Sequence, residues 1–455
     1  MTLFELEDRV KKDLELLRYP ARDWIPETPD TLDVLIIGGG QAGLTIAFGL
    51  LRERVNRILV LDEHPEGQEG VWENFARMRT LRTPKHLTGP DLGIPSLTFQ
   101  AYFEARFSEE EYRNMGKIPR PLWMEYLRWF RHMTGVPVEN QSKVQKIIPL
   151  DQGFEVVYRT PEGIQSHRAR RVVWATGMGG AGLWKNPEYA AALPRTHCAH
   201  TCEEIDFEHL AGKRVGVLGA GASAFDNAGS ALEAGAKVDL YMRQKAFPNV
   251  NYYRFFEFTG FLKHTADLPD EQKLQWLKFL LAPQPPTEDN VSRTRNHPAF
   301  TLHPSCNWKS ARFEEGQVVV DTDLGEERFD FVIFGTGFQV NPRVRPEFKL
   351  FREFILTWGD RYPLQGDVAE FYPYLGPDYA FQETQPGCCP PLKHLYDFTF
   401  GATASMGLSG ASISSMKYAV PRLIDSITRS FYLEDAEHFL NRVKLYADEE
   451  VTWPV

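Results

Sequence analysis

Apolar and polar residues alternate along the chain with two periods. Near the start, Leu6, Val10, Leu14 and Leu17 share one helical face, which predicts a docked amphipathic helix. A Pro-rich linker, "YPARDWIPETPD", closes that segment near residue 30. The apolar run from Asp33 to Ile37 then predicts a short buried strand, and Gly38 to Gly43 a loop. Residues 44–54 place Leu44, Ala47, Phe48 and Leu51 on one side and predict a helix. "RILVLD", ending at Asp62, predicts a second strand, so the segment reads as a βαβ unit.

The same order recurs. "KRVGVL" predicts a strand, Gly219 to Ala224 a turn, and 223–234 a helix closed by Gly235. "KVDLYMR" predicts the next strand, ending at Arg243. Residues 250–300 read as helical and irregular, broken by "APQPP". "GQVVVDTD" and "RFDFVIFGTG" return to strand patterns. A last long helix is expected from about Ala411 to Tyr432, with an apolar stripe of Met416, Val420, Leu423, Ile424 and Ile427 and a kink at Pro421.

Two βαβ units in 455 residues predict an α/β chain of two Rossmann-like dinucleotide-binding domains after an N-terminal helical extension at 1–30.

Composition narrows the function classes. A net charge of −10 argues against nucleic acid and anionic membrane as partners, and no apolar window reaches membrane-spanning length. The first residues lack the basic start and apolar run of a secretory signal, and five cysteines make no disulfide scaffold. A cytoplasmic protein is expected; the sequence leaves a homo-oligomer open. Cys198 and Cys202 with His197 and His200 in "HCAHTC" match no standard zinc spacing, so no metal is expected and the thiols read as incidental. The pair Cys388 and Cys389 reads as packing. There is no Ser-His-Asp order, H-E-x-x-H or P-loop lysine, and "DTD" near 321 lacks the rest of a calcium loop.

The chemistry rests on the two loops. In "GGGQAG", Gly38, Gly40 and Gly43 satisfy G-x-G-x-x-G around Gln41 and Ala42. The glycines permit a tight turn, close approach of backbone to pyrophosphate, and helix packing on strand. The helix start then offers free amides and a positive dipole end to phosphates. The second loop holds Gly219, Gly221 and Ala224 around Ala222 and Ser223, the G-x-G-x-x-A form. The two units differ in the charge that closes their second strands. Asp62 ends that strand in the first unit, with Glu63 beside it; Arg243 ends the equivalent strand of the other. A carboxylate there accepts from ribose hydroxyls and repels a 2′-phosphate, whereas a guanidinium pairs with that phosphate. The first loop therefore suits FAD or NAD and the second NADP(H), with Lys245 a helper; the alternative for Arg243 is a solvated surface arginine. "VVWATG" and "VIFGTG" close apolar strands with Thr176–Gly177 and Thr336–Gly337, ends that let the chain pass closely beneath a dinucleotide.

These features, with "GVW" (70–72) and the block "LAGKRVGVLGAGASAFDNA", resemble the class B flavin-dependent monooxygenases. That group includes flavin-containing, Baeyer–Villiger and N-hydroxylating enzymes. The resemblance implies FAD at the first loop, NADPH at the second, Asp62 on the FAD ribose and Trp72 along the flavin. It implies further that the second domain is inserted in the first, so the expected division is an FAD-binding domain at 31–180 and 326–455 and an NADPH-binding domain at 181–325 carrying the helical insertion 250–300. It also implies a C4a-(hydro)peroxyflavin that passes one oxygen atom from O2 to a small organic substrate. Of the group's F-x-G-x-x-x-H-x-x-x-F/Y fingerprint only His200 is kept; Pro194, Thr196 and Glu204 stand at the other places. Where flavin-containing monooxygenases often carry an asparagine, "LRTPKHL" places Arg82, with Lys85 following. Arg82 reads either as a cation steadying a peroxy anion or as a phosphate or structural ion-pair residue; Lys85 reads as a catalytic residue, an NADP(H) ligand or a surface lysine. Met406, Gly407 and Leu408 in "SMGLSGASISSM" are expected along the flavin pyrimidine edge. Substrate is expected between the domains, near 78–103 and the insertion. The competing readings are a disulfide reductase on the same scaffold, which needs a cysteine pair by the flavin, and a flavin-binding protein without turnover.

Overall fold

The structure, a computed structural model, describes the chain except residues 21–22, 88, 409–411, 449 and 452–455. Helix α1 (Leu3–Leu16) opens with a reciprocal Thr2–Glu5 capping box and buries Leu6, Val10 and Leu14. Those three side chains contribute on the order of 5–9 kcal/mol of apolar burial. Leu17 does not join them; the helix ends there, and the side chain is exposed. Asp13, on the same helix, accepts a 2.6 Å hydrogen bond from the Ser96 hydroxyl.

Strand β1 (Thr31–Ile37) is buried from Asp33 onward, as an apolar run covered on both faces requires. It pairs in parallel with β2 (Ile58–Leu61) on one side and β3 (Gly163–Trp174) on the other. Val138–Glu139 extends the sheet beyond β2, and the antiparallel strands 154–160 and 143–149 extend it beyond β3. Leu395–Asp397 returns late in the chain to pair in parallel with β3. Helix α2 (Gln41–Arg52) connects β1 to β2 and starts inside the glycine loop, earlier than its apolar side suggests. Helix α3 (Arg120–Thr134) precedes Val138–Glu139 and ends on Gly135 in the left-handed region.

The second sheet is wholly parallel. Its centre is β4 (Arg214–Leu218), flanked by β5 (Lys237–Met242) and β6 (Phe331–Phe334); Phe300–Pro304 and Cys198–His200 form the edges. Helix α4 (Ala222–Glu233) joins β4 to β5. This sheet lies in sequence between β3 and Leu395–Asp397, so the second unit is threaded into the first. The run "RFDFVIF" is split: Gly325–Phe329 joins an antiparallel sheet with 308–314 and 317–322, whereas β6 joins the parallel one. Asp330 makes the corner by accepting from the Arg214 amide (2.8 Å) and the Gln317 side chain (3.0 Å).

Helices Tyr252–Phe256, Thr259–His264, Asp270–Leu280 and Glu288–Ser292 form the insertion between β5 and Phe300–Pro304. Phe256, Phe261, Leu277 and Leu280 share one core with Trp358, Tyr372, Ala404 and Leu408, so the insertion docks on the late part of the first unit. Helix α5 (Ile413–Glu434) comes next, with its expected stripe buried, and continues through Pro421. The expected start at Ala411 lies outside the described residues.

Candidate active site

The first loop is built by steric exclusion. Gly38 has φ +105°, and a Cβ there would lie 2.6 Å from the Ala175 carbonyl oxygen. A Cβ on Gly43 would lie 1.8 Å from the Gly38 carbonyl oxygen. The end of β3 thus presses against the turn, and α2 presses against β1. Gly40 caps α2 without a side-chain hydrogen bond, which leaves the helix-start amides free for an anion. The Gln41 side chain accepts from the Trp123 indole at 3.1 Å, and Ala42 is buried.

Asp62 is buried and braces this loop. Its Oδ2 accepts from the Gly39 amide at 2.7 Å, and its Oδ1 accepts from the His64 amide at 2.8 Å. The same carboxylate raises the pKa of the His64 ring, chiefly through their hydrogen bond. Glu63 faces solvent and pairs with Lys143 at 2.6 Å, outside the loop's hydrogen bonds. Trp72 is buried, and the Gly70 Cα before it lies 3.4 Å from where a Gly40 Cβ would be. A cavity of about 290 Å³ opens here, lined by Gly39, Gly40, Glu69, Met124, Arg128 and Arg131.

An orphaned polar atom marks the β3 end. The Thr176 hydroxyl is buried without a hydrogen-bond partner among the described residues, and Gly177 follows at φ +65°. Buried hydroxyls are ordinarily satisfied. The free amides, the glycine cradle and this hydroxyl together fit an FAD whose phosphates meet the α2 start.

The second loop repeats the construction. Gly219 has φ +148°, and a Cβ there would lie 2.3 Å from the Gly335 carbonyl oxygen. Gly221 caps α4, again without a side-chain bond, so Ala222 and Ser223 open the helix with free amides. Ala224 is buried, its Cβ 2.7 Å from where one on Gly335 would sit; only glycine fits there. Arg243 follows β5 directly, is exposed, and has no ion pair among the described residues. Lys245 is also exposed. Gly337 (φ +80°) accepts from the Lys185 amide at 2.9 Å, beside the second loop's supporting strand.

Segment 77–85 runs between the two units. Arg82 is half-buried and donates to the Pro285 carbonyl of the insertion, while Arg254 donates to the Arg82 carbonyl at 2.6 Å. Burial lowers the guanidinium pKa, and Asp226 on α4 partly offsets this. Lys85 departs from the catalytic expectation. Its ammonium donates to the carbonyls of Tyr112, Arg113 (3.1 Å) and Met115 (2.6 Å), closing the end of helix Glu109–Asn114. An ammonium has three donors, and all three are engaged. Met406 and Leu408 are buried, and Gly407, at φ +80°, lies against Thr265 of the insertion. The insertion therefore covers the loop expected along the flavin edge.

Several residues at these sites carry no signature in the sequence. Arg131 pairs with buried Glu69 beside the first loop. Arg293, buried in the insertion, binds Asp226, Ser230 and Glu233 of α4 and also donates to the Arg77 carbonyl. The buried His200 ring lies 3.1 Å from the Cys202 sulfur and packs on Trp184. Among the described residues no cluster of three or more His, Cys, Asp or Glu could hold a metal ion, and all five cysteines are free. A larger cavity, about 540 Å³, is lined by Lys213 and Phe331 at the starts of β4 and β6, the end of the sheet opposite the glycine loop. Ligands of open parallel sheets bind at the other end, outside the strands' carboxyl ends.

Residues 35–253 match the family described as pyridine nucleotide-disulphide oxidoreductase. Across 468 aligned residues the chain is 39% identical to the FAD-dependent urate hydroxylase of Xanthomonas campestris pv. campestris, covering 100% of this chain and 98% of that protein. The fold is similar to that of ornithine hydroxylase from Pseudomonas aeruginosa, with a TM-score of 0.70 and 17% identity over 88% of this chain and 99% of that one. It is also similar to the ornithine N-hydroxylase of Kutzneria sp. 744, solved with reduced FAD, NADP+ and L-ornithine, with a TM-score of 0.68 and 17% identity over the same shares. Two sheets, each with a parallel βαβ unit and its own glycine loop, and this kinship define an FAD-dependent monooxygenase. The chain belongs to the class B flavin-dependent monooxygenases, as a full-length relative of the urate hydroxylase.

Proposed function

We propose that the enzyme spends NADPH to hydroxylate a urate-like heterocycle. The observation that carries the NADPH assignment is the difference between the two equivalent strand ends. One presents buried Asp62, the other an exposed Arg243 that has no ion pair among the described residues. Asp62, Gly38, Gly40 and Gly43 serve FAD, with Thr176 and Gly177 beneath it and Trp72 and Met406–Leu408 at the isoalloxazine. Gly219, Gly221, the start of α4 and Arg243 serve NADP(H). Bound flavin supplies the redox chemistry: two electrons arrive from the nicotinamide, one atom of O2 enters the substrate and the other leaves as water. The chain's residues orient the two cofactors, exclude water and hold charge. Arg82 belongs to the reacting centre, where its guanidinium opposes developing negative charge in a partly dry cleft. Urate as the substrate class is supported by the 39% identity over the full chain. Five cysteines free of disulfides suit a reducing, cytoplasmic setting.

The test is direct. Anaerobic mixing with NADPH should bleach the flavin far faster than mixing with NADH. In air, urate should accelerate NADPH consumption and yield a product carrying one atom from isotopically heavy O2. Equal rates with both nucleotides would defeat the NADPH assignment; no response to urate would defeat the substrate class.

A further inference from the structure

Two buried polar atoms beside the interdomain cleft lack partners among the described residues: Arg82 Nε and Gln284 Oε1. They flank one residue. Arg82 donates through its terminal nitrogen to the Pro285 carbonyl, and Gln284 immediately precedes Pro285. The Gln284 amide is oriented by one N–H that donates to the Ala282 carbonyl at 3.0 Å, and its carbonyl oxygen, an acceptor, is the unmatched atom. The Arg82 Nε–H is a donor only. A donor and an acceptor, both dry and both unmatched, are costly to keep unless a ligand completes them.

The surroundings narrow that ligand. Tyr253, which precedes the Arg254 that donates to the Arg82 carbonyl, packs against the aromatic and aliphatic core that includes Phe256, Phe261, Tyr372 and Leu408. Leu408 and Gly407 bring the same core to the loop assigned to the flavin edge. An aromatic-rich neighbourhood suits a flat ring, and the guanidinium suits an anionic one.

We propose that Arg82 and Gln284 together read one lactam edge of a planar, anionic heterocycle: Arg82 Nε–H donates to a ring carbonyl, and Gln284 Oε1 accepts from the adjacent ring N–H. This rests on the urate-like reading above and deepens it, because urate carries such edges. The pair sets which ring position is turned toward the flavin, so it governs specificity as well as affinity.

The experiment uses the intact flavoprotein with urate and its mono-N-methyl derivatives. Methylation at the read edge removes the N–H, so in the wild type one derivative should bind at least tenfold more weakly than urate. Gln284→Leu should raise KM for urate about tenfold and abolish the discrimination against that derivative, since the two losses share one contact. If Gln284→Leu fails to retain flavin, Gln284→Glu is read instead, and its added negative charge should weaken urate further. A Gln284 variant with wild-type KM and wild-type discrimination would overturn the pair while leaving urate turnover intact. A wild-type enzyme that neither binds nor oxidises urate would overturn the functional reading, and the pair with it.

Discussion

Asp62 Oδ2 accepts a 2.7 Å hydrogen bond from the Gly39 amide, so the acid that ends β2 holds the loop that opens α2. A residue expected to face the cofactor's sugar also fixes the shape of its phosphate cradle. Asp62→Ala should therefore weaken FAD through both effects. Loss of one hydrogen bond to a charged group costs about 1.5–3 kcal/mol. Titration of the apoprotein with FAD, followed by flavin fluorescence, should show a dissociation constant raised by about tenfold or more. An unchanged constant would remove Asp62 from the site.

Gly43 tests the cradle sterically. A methyl group there would lie 1.8 Å from the Gly38 carbonyl oxygen, so backbone must move. Gly43→Ala should purify without flavin. Gly116→Ala, at a position with open space around the added carbon, should purify yellow. Flavin absorbance per mole of protein separates the two.

Local pattern and long-range contact explain what the sequence discloses. The β1–loop–α2–β2 unit is legible because Asp33 to Ile37 is a continuous apolar run and the glycines stand at fixed offsets. The same logic reaches Gly219 to Ala224. Lys85 is misleading for the opposite reason: the carbonyls that engage it end a helix some 30 residues later. Asp226 and Arg293 are 67 residues apart, and neither spacing nor composition joins them until the insertion folds back on α4. Gln284 sits in a Pro-rich break whose pattern predicts only irregular chain; its unmatched oxygen emerges from burial.

Arg243 carries the nucleotide preference. It is exposed at the end of β5 and has no ion pair among the described residues, so replacing it should disturb the fold little. Arg243→Ala should weaken NADPH by roughly 1.5–3 kcal/mol, the worth of a hydrogen bond to a charged group, and should barely affect NADH. Steady-state KM values for both nucleotides check this. Equal losses would assign Arg243 to the solvated surface.

Asp226 is a pH-sensitive element of the contact between α4 and the insertion. Its Oδ1 accepts from Asn290 (2.6 Å) and Arg293 (3.3 Å), yet burial pushes the carboxyl up to about 6 from an ordinary 3.8. Between those values the folded chain binds more protons than the unfolded one. Stability from this group is therefore greatest below about pH 4 and is lost as pH rises through about 6. The cost of holding it ionised is fully present near pH 7. Asp226→Asn keeps acceptors for Asn290 and Arg293 and removes that cost. The variant should be more stable than the wild type near pH 7, by up to about 3 kcal/mol. The gap should close as pH falls below about 4, where the wild-type carboxyl becomes protonated in both states. Urea denaturation of the holoenzyme across this range checks the sign; a gap independent of pH would place the stabilising interaction elsewhere.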